Sequence, residues 1–228
     1  MRIGIRLLWA VCLLAGMQAG ARAQAPLVGG VPADVYYLLP AFADGVVYIT
    51  GQGPAQGEMN ICAVDNSLRF KDKDGQELEA SEPDKIISAV IGDAYFIRSN
   101  GVFYRKYPVS GDIGIALKRE VIIRKDVKRG AYGMEDQTSS IREYSTIYAD
   151  GVTYQLNQNK AYPYNVTETL FLCQGNAIFP LNKKNLKKLF PDRKDDIEAW
   201  FKARNNLPDT VDGLSALLAG WASAETSF

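Results

Sequence analysis

The chain of 228 residues contains no histidine, which excludes Ser-His-Asp and Cys-His catalysis and removes the commonest zinc ligand. Carboxylates, thiols and tyrosines are left to do chemistry. The acids Glu58, Glu77, Glu79, Asp93 and Glu120 lie on strand-like segments. They could serve a histidine-independent hydrolase of glycan or peptide, in which two carboxyls about 5 to 10 Å apart divide the acid and base roles. No spacing singles out a pair. Asp72-Lys73-Asp74-Gly75 with Glu77 and Glu79 starts like a calcium-binding loop. The third spaced oxygen ligand and the distant bidentate glutamate are missing, and Lys73 sits inside, so the stretch reads as a solvated hairpin turn. No metal and no cofactor is expected.

Twelve tyrosines occur, and Tyr36, Tyr37, Tyr95, Tyr104, Tyr107, Tyr148, Tyr154, Tyr162 and Tyr164 fall in or near strand-like runs. Rings gathered on one sheet face would stack on sugars or peptides, because tyrosine joins an apolar body to a polar tip. The plainer reading makes them half-buried strand residues. Tyr95, Tyr104, Tyr148 and Tyr154 are the candidate binding residues. Cys62 and Cys173 each sit in an apolar run, Asn60-Ile61-Cys62-Ala63-Val64 and Leu170-Phe171-Leu172-Cys173. An oxidising compartment would let them form a disulfide across a long loop; burial as two free thiols is the other reading. The polar, glycine- and serine-containing stretch Arg129 to Ser140 is either a ligand-contacting loop or a plain connection.

The elements that must position these residues are strands first. From about residue 35 to 180, short apolar and aromatic runs of period two are cut by Asn-Gly, Asp-Gly and Gly-Asp pairs, the pattern of antiparallel sheet. The clearest unit is Ala94–Ser99, Asn100-Gly101, Val102–Tyr107, in which Asn-Gly supplies the two positive φ values of a type I′ turn. Arg98 is then opposite Phe103, and Ile97 opposite Tyr104. Ser145–Ala149 and Val152–Leu156 around Asp150-Gly151 predict a second hairpin, and Leu68–Phe70 with Glu77–Glu79 a third. The string [Asp/Asn]-Gly-Val-x-[Phe/Tyr] recurs at Asp44, Asn100 and Asp150. Turn chemistry followed by a strand explains it without a duplicated unit.

Past Pro180 the period becomes helical. Asn182 caps a basic helix running to Phe190, with Leu186, Leu189 and Phe190 on one side. Pro191 and the acids behind it start a second helix carrying Ile197, Trp200 and Phe201, which ends near Asn205-Asn206. Asp209 or Thr210 caps a third, with Leu214, Leu217, Leu218 and Trp221 at i, i+3, i+4 and i+7.

Leu181-Asn182-Lys183-Lys184-Asn185-Leu186-Lys187-Lys188-Leu189-Phe190-Pro191-Asp192-Arg193-Lys194-Asp195-Asp196-Ile197 resembles the C-terminal end of a family of small exported bacterial proteins with a β-rich body and a lysine-rich helical tail. Arg129–Gly133 followed by Gln137–Ile141 is similar to a linker in the same group. The resemblance implies an envelope or secreted location and no known chemistry. The last helix, with Gly213, Gly220 and no basic residue, departs from the more polar ending of that group.

Residues 1–23 read as a secretory signal peptide: Arg2 and Arg6 as the basic start, Leu7 to Met17 as the apolar core, Ala21-Arg22-Ala23 as the cleavage site. The core is too short to span a bilayer. Without that segment 23 basic residues face 26 acidic ones, which disfavours nucleic acid and anionic lipid as partners. The organisation expected is a signal peptide at 1–23, a β-rich body at 24–180 and a helical segment at 181–228 packed on it. The fold class is α+β: hairpins, a meander or a small sandwich of antiparallel strands, followed by two to three helices. The function expected is non-enzymatic binding or assembly in the periplasm or outside the cell, with an envelope protein or glycan as partner. The carboxylate hydrolase is the alternative. N-terminal sequencing of protein recovered from an envelope fraction or culture fluid should read from within a few residues of Gln24; full-length chain held in the membrane fraction would contradict the export reading.

Overall fold

The computed structural model describes residues 26–124, 146–149, 152–155, 161–204 and 206–223, the second and third stretches in backbone alone. The signal peptide at 1–23, the loop Arg129 to Ser140 and the Asp150-Gly151 turn lie outside the described residues. A hairpin of β1 (Leu27–Val28) and β2 (Val31–Pro32) leads into a single helical turn, α1 (Ala33–Tyr36). There follow β3 (Ala43–Ile49), β4 (Ala55–Ile61), β5 (Leu68–Lys71), β6 (Glu77–Glu79), β7 (Ile86–Ile91), β8 (Ala94–Ser99), β9 (Val102–Ser110) and β10 (Ile113–Ile123). The hairpin β11 (Thr146–Ala149) with β12 (Val152–Gln155) stands apart, and β13 (Tyr164–Gln174) and β14 (Ala177–Pro180) complete the strands. Among the described residues three helices follow: α2 (Lys183–Leu189), α3 (Lys194–Ala203) and α4 (Val211–Ser223).

The fold is α+β, and its body is one ten-stranded antiparallel sheet in the order β14-β13-β10-β9-β8-β7-β3-β4-β5-β6. It is a meander with two returns: β7 pairs with β3 on the side opposite β4, and β13 comes back to β10. The β8–β9 turn has φ 51° at Asn100 and 79° at Gly101, so the type I′ expectation holds. Arg98 lies opposite Phe103 and Ile97 opposite Tyr104. The Leu68–Phe70 and Glu77–Glu79 hairpin also forms. Asp44-Gly45, by contrast, sits inside β3 and is no turn. A Cβ on Gly45 would come within 2.6 Å of the Val90 carbonyl oxygen and 3.0 Å of Met59, so this glycine serves close packing rather than chain reversal.

Because side chains alternate along a strand, the register sorts them into two faces. One face carries Val47, Met59, Ile61, Leu68, Ala89, Ile91, Phe96 and Phe103, which form a single buried cluster although they span six neighbouring strands. The sheet therefore curls round upon itself. The seam is marked by Asn66, in the β4–β5 turn, whose Oδ1 accepts from the Phe103 amide at 3.3 Å. Nearby, the Val121 amide donates to the Ala63 carbonyl at 3.1 Å. Further along the same face, Ile115 and Leu172 meet Leu186, Leu189, Phe190, Ile197, Leu214, Leu218 and Trp221 from the helices in a second cluster.

The helices form where the pattern places them. Asn182 Oδ1 caps α2 by accepting from the Asn185 amide at 2.9 Å, and Thr210 Oγ1 accepts from the Gly213 amide at 3.2 Å at the start of α4. Pro191–Arg193 is a 3₁₀ turn, and α3 ends at Ala203, two residues short of Asn205. Lys183 and Lys187 both donate to Glu198, tying α2 to α3 and pulling that carboxyl down to about 2. The Trp221 ring is 8% exposed and packs edge-on against Phe190 at 6.1 Å and Trp200 at 6.3 Å. Trp221→Ala should cost about 3 to 5 kcal/mol in chemical denaturation, as removal of a packed ring from a core does; a loss below about 1 kcal/mol would mean that α4 is not docked on the sheet.

Candidate functional site

The second face of the sheet has a different composition. Cross-strand register lines up Tyr95 on β8, Lys106 on β9, Ala116 on β10 and Phe171 on β13 in one row. Ile97 and Tyr104 face each other in the next row. Cys173 stands opposite both Gly114 and Ile178. Ile97, Ala116 and Cys173 are fully buried, and the side chains packed over them, Tyr95, Tyr104, Phe171 and Ile178, all belong to strands of the same sheet. Beside Ile97 the floor is made of small residues, Gly114, Ala116 and Cys173. A Cβ on Gly114 would lie 2.5 Å from the Tyr107 carbonyl oxygen and 3.2 Å from Cys173 Sγ, so strand β10 has no room for anything larger there.

The rings above this floor are held in place. Tyr104 and Phe171 meet edge to face at 5.3 Å with 86° between planes. The Lys106 ammonium lies 5.7 Å from the Tyr95 ring centre and donates to the Gly175 carbonyl at 3.0 Å. The Tyr95 hydroxyl donates to Asn176 Oδ1 at 3.2 Å, so the β13–β14 turn is drawn over the face. The arrangement is a set of fixed, half-buried aromatic rings with an ammonium, an amide and phenol groups among them. Its chemistry suits stacking and hydrogen bonding.

Of the four tyrosines singled out in the sequence, the structure brings Tyr95 and Tyr104 onto this one face. Tyr148 and Tyr154 lie on the separate β11–β12 hairpin, Tyr148 opposite Thr153 and Tyr154 opposite Ile147, and their side chains are outside the described residues. Lys106, Phe171 and Asn176 join Tyr95 and Tyr104 on this face. Period two points to Lys106, two residues beyond Tyr104; nothing in the sequence pairs β8–β9 with Phe171, which is brought there by the return of β13 to β10.

Of the five acids, only Glu77 and Glu79 come together, and they do so on a shared cation. Glu58 is paired with Lys71 at 2.7 Å, and Glu120 with Lys118 at 2.8 Å. Asp93 lies exposed in the β7–β8 turn. Glu77 and Glu79 share a face of β6, but Arg69 stands with them, 4.0 Å from Glu77 and 3.2 Å from Glu79, and Asp65 is bound to the same guanidinium at 2.5 Å. The Tyr37 hydroxyl donates to Glu77 at 2.6 Å, with burial and that contact pushing the phenol pKa up. This cluster clasps the segment before β3 onto β5 and β6. Asp72 Oδ1 accepts from the amides of Asp74 and Gln76, so its carboxylate closes the hairpin turn. Among the described residues no group of three or more cysteines and acids is placed to hold a metal ion.

The disulfide is not made: Cys62 and Cys173 are free and buried. Cys173 pairs with Gly114 near the start of β10, whereas Cys62 precedes Ala63, which is bonded to Val121 near its end. Seven residues of extended strand separate Gly114 from Val121, roughly 23 Å, against the limit of about 7 Å between bridged Cα atoms. Burial pushes the Cys62 thiol up to about 12 and raises that of Cys173, which nearby Lys106 partly offsets.

Compared with protein-family models, curated proteins and solved structures, the chain matches none.

Native protein should resist an aromatic disulfide reagent at pH 8 and release the equivalents of Cys62 and Cys173 only on unfolding; prompt reaction in the native state, or a bridged pair in non-reducing peptide mapping, would contradict this placement. The sign of the pH effect follows. The unfolded chain ionises Cys62 near its ordinary value of 9.0 while the fold holds the proton to about 12. The stability this site contributes is therefore complete below pH 9 and is lost as pH rises through that interval.

Proposed function

We propose that the chain is an exported, non-enzymatic binding protein of the cell envelope, and that the Tyr95–Tyr104–Phe171 face receives a glycan. One observation carries the reading: three aromatic rings, part-buried and fixed by their neighbours, share a sheet face on which, among the described residues, strand side chains form the apolar cluster. Fixed rings lose little conformational freedom on binding, which favours stacking of a sugar face. The groups between the rings favour a polyhydroxylated ligand over an apolar protein surface. Lys106 and Asn176 interrupt the aromatic patch, whereas the core of a protein interface is depleted in lysine. The acid placement adds support, since each strand-borne carboxylate named above other than Asp93 already sits beside a cation. The leader-like residues 1–23 and the resemblance of residues 181–197 to exported proteins supply the location.

The test is co-sedimentation with insoluble envelope glycan, followed by calorimetric titration with soluble oligosaccharides cut from it. Tyr95→Ala and Tyr104→Ala should each weaken binding about tenfold, near 1.4 kcal/mol per ring. Unaltered binding by the double variant, or no saturable binding by the native protein, would overturn the proposal.

A further inference from the structure

The curl of the sheet leaves an opening at one end, and we infer that this opening is a binding site for a small neutral apolar molecule carrying one hydrogen-bonding end. A cavity of about 460 Å³ lies inside the curl, between the β3–β4 turn and residues 78–86. Its walls are Val47, Ile49, Met59, Phe70, Leu78 and Ile86. The volume is that of small-molecule sites, which barrel mouths commonly provide.

The cavity has a cause in the sequence. On β4 the inward positions level with it are Ala55 and Gly57, which pair with Val47 and Gly45. A Cβ on Gly57 would meet nothing within 4 Å. The strand thus presents almost no side chain where Phe70 and Leu78 stand opposite, and Leu78 remains 42% exposed at the mouth. A core selected only for packing would fill such a gap, because unfilled apolar space weakens a fold.

The rim decides the class of ligand. Each charge lining it has a polar partner within the protein. Lys71 is paired with Glu58 at 2.7 Å, Glu79 with Arg69 at 3.2 Å, and Glu82 accepts from Lys85 at 2.6 Å and Gln52 at 3.0 Å. Among the described residues the lining cation, Lys71, is taken up by Glu58, and the lining acids Glu79 and Glu82 already accept from Arg69, Lys85 and Gln52, while Gln52, Gln56 and Ser81 offer neutral groups for hydrogen bonding there. An alkyl chain or aromatic ring ending in a hydroxyl, ester or amide meets these requirements. The site lies on the inner face of the sheet and is independent of the glycan reading for the outer one.

The experiment titrates purified protein with N-phenyl-1-naphthylamine, a neutral probe that brightens in apolar surroundings, and then displaces it with decanol or decanoate. Saturable binding at one equivalent is expected, with decanol displacing at least tenfold better than decanoate. Ala55→Phe and Gly57→Leu, which put side chains into the gap, should each weaken probe binding at least tenfold while keeping or raising the midpoint of thermal unfolding. Absence of saturable binding by the native protein would overturn the inference, as would native-like affinity in a folded plugged variant. Equal displacement by decanoate would overturn the neutral head group.

Discussion

A ten-stranded antiparallel sheet turns half its side chains to each side, and in this chain the apolar ones are concentrated on one. Taking that face out of water is the constraint on which the rest of the structure depends. A sheet this wide is too long for one cover, so two solutions divide it. From β3 to β9 the sheet curls and becomes its own cover, with Phe96, Phe103, Met59 and Leu68 in one cluster. Beyond β9 it opens, and α2, α3 and α4 lie over Ile115 and Leu172 instead. Each large side chain withdrawn from water stabilises by about 1.5 to 3 kcal/mol before the entropy of ordering is charged against it. Both solutions are needed, because either half left open would expose a broad apolar surface.

The curl also needs polar fastenings. Asn60 is fully buried on the outer side of β4, where its amide nitrogen donates to the carbonyls of Leu39 and Ala41, both at 3.0 Å, and its oxygen accepts from the Leu39 amide at 3.2 Å. It holds the segment before β3 as a backbone strand would, leaving no polar group of its side chain unpaired in the interior. The Arg69 cluster does the same for Tyr37. The edges are blunted: β6 is three residues long with two glutamates, and β14 is four residues ending in Pro180. Among the described residues, no element covers the outer face of β8, β9, β10 and β13. It is tolerated because Tyr95, Tyr104, Phe171 and Ile178 bury the floor with their own mass, and the polar ends of Tyr95 and Lys106 are hydrogen-bonded to Asn176 and Gly175.

Local chemistry was the part legible in the sequence. The Asn100-Gly101 turn, the Arg98 and Phe103 pair, the Asn182 cap and the Leu214–Trp221 stripe each depend on residues within one turn or one hairpin. Long-range placement was not legible. Asp44-Gly45 has the letters of a turn, yet Gly45 is required by the Val90 carbonyl of a neighbouring strand. Cys62 and Cys173 occupy similar apolar runs, and only the register of β10 shows that they stand at opposite ends of a strand. The aromatic face was half visible: period two links Tyr104 to Lys106, but Phe171 enters through a strand more than sixty residues away.

The central claim is that one face of the sheet is buried twice over while the other presents its aromatic rings. Hydroxyl-radical footprinting of the native protein, read residue by residue by mass spectrometry, measures this directly. Tyr95, Tyr104 and Phe171 should be oxidised readily, and Phe96, Phe103 and Trp221 should be protected until the chain is unfolded. Protection of Tyr95, Tyr104 and Phe171 to the level of Phe96, or ready oxidation of Trp221 in the native state, would contradict the account.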